Sequence, residues 1–164
     1  MQVLKMIFDS IEKALDAVLV VMMIVMGSSI VIQVFSRYVL NRPTSWSEEI
    51  ARYFFVWITL VGSAVVLRRR GHIDVSVLVD RLPNRLRLAV ALLSDLAVLF
   101  FLGILCWAGI GITQVAHRQL SAATEVPMSF FYSALPVGAF FMILFLAVTM
   151  ASEWVERVHG VREE

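Results

Sequence analysis

Few side chains in this sequence could do chemistry, and their spacing limits what they can do. Glu48 and Arg52 stand four residues apart, an acid and a base on one helical face that Thr59 and Ser63 continue. Glu49 lies next to Glu48, and Trp46, Ile50, Tyr53 and Trp57 form a neighbouring aromatic face. At a helix start such a pair serves as a set of well-placed carboxylates beside an aromatic belt. The functional alternative is docking a partner subunit, and Trp46, Glu48, Glu49 and Arg52 are the candidates for that contact.

Asp95 is the other carboxylate of interest, because it falls inside a long apolar stretch. An intramembrane acid is a functional candidate by default. A single one near the inner boundary is equally suited to anchoring, and Ala91, Gly103 and Cys106 near its face are small enough to admit another helix. We expect Asp95 to make an internal polar bond. His72, His117 and His159 lie outside the apolar stretches, so no histidine pair faces a helix-bundle interior to ligate haem iron. Cys106 is the sole cysteine, which excludes an intramolecular disulfide and a cysteine-based metal site. No phosphate loop, zinc spacing or nucleophile elbow is present. Neither a catalytic nor a cofactor- or metal-binding residue is expected.

The elements that position these residues follow from hydropathy. Of 164 residues 60% are hydrophobic and 16% charged, with a mean hydropathy of +0.84, far from globular averages. About 20 apolar helical residues cross a hydrocarbon core, and four stretches qualify: 14–35, 50–67, 88–113 and 130–151. The fold class expected is an all-α integral membrane protein in one domain with four transmembrane helices. The first stretch exceeds a signal peptide's apolar core and lacks a cleavage site, so it is read as a retained helix. Gly27, Ser28 and Ser29 within it would let a neighbour approach closely.

Of the 14 Lys and Arg residues, ten fall in the N-terminal arm, the middle loop and the C-terminal tail, and four, Arg37, Arg42, Arg52 and Arg118, on the other side. The positive-inside rule then puts both termini in the cytoplasm of a multi-pass bacterial inner-membrane protein. Arg68, Arg69, Arg70 and His72 form a stop signal facing anionic lipid headgroups. Val75, Leu78, Val79 and Leu82 suggest a short interfacial helix at 74–82 on the same side. On the outer side Pro43 breaks any continuing helix, and Ser45 with Glu48 fits a capping box. Pro127 suits the first turn of the last helix, while Pro136, following Tyr132, should kink it beside Gly138. The near-neutral net charge of +1 argues against nucleic acid.

The ordered set Trp46-Ser47-Glu48-Glu49-Ile50-Ala51-Arg52, then Trp57, Gly62 and Ala64, then Arg70-Gly71-His72-Ile73-Asp74-Val75 and Arg81-Leu82-Pro83 resembles the small, DctQ-like membrane subunit of tripartite ATP-independent periplasmic (TRAP) transporters. Pro127-Met128, Tyr132 and Leu135-Pro136-Val137-Gly138 are similar to that family's fourth-helix signature. The resemblance departs at 122–126, where the family more often has a leucine and a glycine before the proline. It implies a scaffold subunit of a sodium-coupled carrier for an organic acid. A large DctM-like permease would carry the substrate and sodium sites and move as an elevator, and a periplasmic DctP-like binding protein would deliver the acid. Rival readings are a self-contained four-helix exporter and a purely structural assembly subunit. An exporter of that class needs a glutamate embedded in its first helix, and 17–34 contains no acidic residue.

Overall fold

The computed structural model describes residues 2–42, 44–69 and 84–160. It is all α-helical apart from one isolated bridge: α1 spans Gln2–Tyr38, α2 Ser45–Arg68, α3 Asn84–Ala116, α4 Met128–Tyr132 and α5 Ala134–Gly160. Four stretches of these helices are long and apolar enough to cross a membrane, Met6–Tyr38, Ser45–Arg68, Ala89–Ala116 and Met128–Ala151. At 1.5 Å per residue, the 37 residues of α1 reach roughly 55 Å, well beyond a hydrocarbon core of about 30 Å. Its surplus is the polar N-terminal end that holds Asp9 and Glu12; this end of the molecule is called inner and the end at Trp46 outer, as labels of position only.

The helices stand in a row. α1 packs on α2, α2 on α5, and α5 on α3, leaving α1 and α3 at the two edges. The small core gathers at the inner half, where Phe8, Ala64, Leu102, Met142, Phe145 and Leu146 meet. Lipid tails are as apolar as these side chains, so burial itself drives little association here. Close packing and polar contacts must hold the row together.

Glycine makes the close packing possible at two crossings. A Cβ on Gly138 would stand 2.7 Å from Leu60 Cβ, and one on Gly109 2.9 Å from Pro136 Cδ. Both backbones therefore touch their neighbours directly. Within this chain no neighbour closes on Gly103 or Gly27, since a Cβ at either would meet nothing within 4 Å. The α3–α5 contact uses Gly109, about a third of a turn around the helix from Gly103.

Proline chemistry shapes the fourth span. Pro136 offers no N–H to the Tyr132 carbonyl, and the helix is interrupted at Ser133, between α4 and α5. Ser133 N–H to Ser129 O (2.9 Å) and Val137 N–H to Ser133 O (3.2 Å) carry the chain across the break. Pro127 stands one residue ahead of the expected first-turn position, as N-cap of α4 with an extended ψ of 130°. The expected Ser45–Glu48 capping box is also displaced. Thr44 is the cap residue, and its hydroxyl lies 2.6 Å from that of Ser47, which itself bonds to the Thr44 carbonyl at 2.9 Å. Glu48 is thereby released to face α1. Pro43, Arg70, His72 and the interfacial helix expected at 74–82 lie outside the described residues.

Candidate functional site

The polar groups collect in three places: an inner clasp between α1 and α2, an outer cluster around Glu48, and an outer loop held by Glu49. The inner clasp is built from Asp9, Glu12 and Asp16, which recur at i, i+3 and i+7 on the α1 face turned to α2. Glu12 accepts from Arg68 Nε at 2.6 Å through one oxygen and from Arg69 Nε at 2.7 Å through the other. Arg68 also pairs with Asp9, and Arg69 with Asp16. The Arg68 guanidinium lies 5.8 Å from the Phe8 ring centroid and 5.4 Å from that of Phe145, a position of cation–π attraction to both. Arg69 follows the last residue of α2, and the hydrogen bond it donates to Glu12, ahead of the one to Asp16 and that residue's charge, raises its pKa above the ordinary guanidinium value.

This corrects the sequence reading of Arg68 and Arg69 as a headgroup-facing stop signal. Their partners are protein carboxylates, because an acidic stripe on α1 lies within reach once α1 and α2 pair. The stripe was legible as a three-and-four spacing of acids ahead of the first apolar run. The cationic half of the clasp alone does not disclose it.

At the outer end Glu48 accepts from Arg52 Nη2 at 3.1 Å, as the i, i+4 spacing expected. It also accepts from Gln33 Nε2 at 3.4 Å and pairs with Arg37 at 3.8 Å, so it joins α2 to α1. Gln33 and Arg37 are a second pair that sequence reasoning did not single out. Trp46, Glu48 and Arg52 remain largely exposed, and form a polar and aromatic patch at the outer end of the row. Thr59 and Ser63 turn their hydroxyls back to carbonyls four residues earlier, at 2.8 and 2.7 Å, and take no part in it.

Glu49 has a different task. One of its oxygens accepts from the backbone N–H of Ala123 (3.2 Å) and of Thr124 (3.0 Å) and from the Thr124 hydroxyl (3.1 Å). It is the anion around which the outer loop folds. That loop is closed by Ser121 N–H to Val126 O at 2.9 Å and Met128 N–H to Gln119 O at 2.8 Å. Glu125 within it has φ of +55°, a left-handed conformation that suits glycine, and it falls in the stretch where the family resemblance breaks. Below Glu49, Tyr53 packs on Phe131 with centroids 5.0 Å apart, and Trp57 donates its indole N–H to the Phe130 carbonyl at 3.2 Å. The expected aromatic face thus splits. Tyr53 and Trp57 bind α4, and Trp46 stays outside.

A shallow cleft of about 570 Å³ opens between the outer end of α3 and α4. His117 lines it, with Nδ1 3.2 Å from the Ser129 hydroxyl, along with Thr113, Pro127, Phe130 and Ser133. Among the described residues its lining contains no lysine or arginine, the groups that recognise a carboxylate solute by charge-assisted hydrogen bonds. Asp95 is half-buried on α3, toward the inner side. Tyr132 ends α4 and Pro136 lies in the first turn of α5, so both shape the bend between them.

Residues 17–156 match the family model for tripartite ATP-independent periplasmic transporters, DctQ component. The chain is 32% identical over 145 residues to the sialic acid TRAP transporter small permease protein SiaQ of Vibrio cholerae, covering 85% of this chain and 81% of that protein. It is 29% identical over 110 residues to the isethionate TRAP transporter permease protein DctMQ of Oleidesulfovibrio alaskensis, and 27% identical over 114 to the sialic acid TRAP transporter permease protein SiaT of Haemophilus influenzae. Those matches cover 66% and 70% of this chain but only 17% and 18% of the two longer proteins, so in them a segment like this one is part of a larger permease polypeptide. The chain therefore belongs to the DctQ family: it is a small permease subunit of a TRAP transporter, a multi-pass inner-membrane protein and not an enzyme.

Proposed function

We propose that this subunit is a fixed brace for the large permease of a sodium-coupled TRAP system that takes up an organic acid. The observation that carries this reading is the row α1, α2, α5, α3, clasped by ion pairs at its inner end and by Glu48 and Glu49 at its outer end. A row with two broad faces and two edges widens a partner's footprint in the bilayer and resists tilt. A closed bundle around a central path would suit a carrier working alone.

The permeases DctMQ and SiaT, which contain a similar segment within a longer chain, support a large membrane partner. Substrate and sodium then belong to that partner. The cation excess of ten against four supports an orientation with both termini in the cytoplasm, and pairing of Arg68 and Arg69 with acids leaves it intact, because the rule counts lysine and arginine rather than net charge. In that orientation Trp46, Glu48 and Arg52 face the periplasm, where they help form the surface on which a binding protein docks. Glu49 shapes that surface indirectly, through the loop it holds. Purification of the tagged chain from its native membranes tests the reading. Recovery of the large permease in equal amount is expected, and recovery of this chain alone would overturn it.

A further inference from the structure

The two edges of the row differ in kind. Along α3, Leu93, Leu96, Phe100, Gly103, Trp107 and Ile110 are spaced alternately by three and four residues, the heptad pattern of a helix that packs along another helix. All six are exposed, Phe100 and Trp107 at 72% and 79%, and Gly103 has open space where a side chain would stand. The opposite face of α3 is the one already used, through Leu102 and Gly109.

The depth of Trp107 argues for a protein against lipid. Cys106 Sγ lies 3.9 Å from the Pro136 carbonyl oxygen, and Pro136 is nine residues outward of Phe145, the ring beneath Arg68. Trp107 is therefore roughly 13 Å above the inner charged level, and roughly 15 Å below His117 on its own helix. Tryptophan favours the two membrane interfaces, where its N–H meets water or headgroups. At mid-depth that N–H has no acceptor in hydrocarbon, and among the described residues none is in reach. Trp57, by contrast, gives its N–H to the Phe130 carbonyl. The exposed face of α1 is aliphatic around the same depth, with Val20, Val21, Ile24 and Val31, which lipid tails satisfy fully.

We propose that the α3 face from Leu93 to Ile110 is the seam on which a transmembrane helix of the large permease packs. Trp107 is its mid-membrane anchor and donates its indole N–H to an acceptor on that helix. The inference rests on the brace reading, and the continuity of a similar segment with a larger permease in DctMQ and SiaT names the occupant. A second copy of this chain is the competing occupant.

Photocrosslinking in membranes containing the whole transporter tests it, with benzoylphenylalanine introduced in place of Trp107 or of Ile24. Adducts with the large permease are expected from position 107 in clear excess over position 24. Adducts from position 24 alone, adducts with lipid alone, or a homodimer adduct from position 107 would overturn it. The wild-type chain is purified in parallel. If it does not carry the large permease with it, the brace reading fails. If it does and position 107 stays silent, only the assignment of the face fails. Trp107→Phe keeps the ring and removes the N–H, so the amount of complex should fall about threefold or more while the isolated chain melts unchanged. An undiminished complex would overturn the hydrogen bond.

Discussion

Replacing Glu12 by glutamine should loosen α1 from α2 more than neutralising either Asp9 or Asp16. The Glu12 side chain is 18% exposed and that of Arg68 14%, and the two Glu12 oxygens serve two guanidinium groups at 2.6 and 2.7 Å. A hydrogen bond to a charged group contributes roughly 1.5–3 kcal/mol, and an isosteric amide keeps one acceptor while losing the charge. Asp9 and Asp16 still neutralise one arginine each, which limits the loss to about 2 kcal/mol. Asp9 and Asp16 are themselves 58% and 39% exposed, so Asp9→Asn and Asp16→Asn are screened by water and headgroups and should cost about 1 kcal/mol or less. Thermal unfolding of the purified chain in nanodiscs, followed by tryptophan fluorescence, orders the three variants. Equal destabilisation by Glu12→Gln and Asp9→Asn would refute the argument, since it would mean that burial of the Glu12–Arg68 pair confers nothing. Arg68→Lys adds a check on geometry: a point charge cannot serve two carboxylates and two rings as a planar guanidinium does.

Gly138→Ala should destabilise by about 2 kcal/mol or more, because the new Cβ meets Leu60 at 2.7 Å, while Gly27→Ala, in open space, should be neutral or gain up to about 1 kcal/mol of helix propensity; melting curves of the two variants separate the cases. Glu49→Ala removes the acceptor of three hydrogen bonds from the outer loop and should make protease cleavage within 119–127 at least about tenfold faster in intact spheroplasts, with Glu49→Gln intermediate. Glu125→Gly relieves a left-handed backbone and should leave the loop as resistant to cleavage as in the parent or more so; faster cleavage would show that the side chain itself holds the turn.

The sequence states the helices and the charge bias openly, because hydrocarbon thickness and the cost of unpaired backbone leave one kind of element for a long apolar run. The Glu48–Arg52 pair and the break before Pro136 are local features of the same kind, legible from spacing and from a missing N–H. What sequence did not disclose depends on which helix stands beside which. Arg68 reads as a lipid-facing cation until α1 brings Glu12 to it, and Glu49 reads as a docking residue until Thr124 arrives from 75 positions away. Gly103 and Gly109 are alike as residues, and only the position of α5 makes one a crossing point and leaves the other open. Likewise Trp107 and Trp57 differ only in what stands opposite their N–H groups.

The claim that this chain supports a carrier without handling cargo is tested most directly by reconstitution. Proteoliposomes holding the large permease, supplied with the binding protein, its organic acid and a sodium gradient, are compared with and without this subunit, and with this subunit alone. Uptake is expected only when both membrane subunits are present. Sodium-driven uptake by this chain alone, or full-rate uptake by the large permease without it, would overturn that claim.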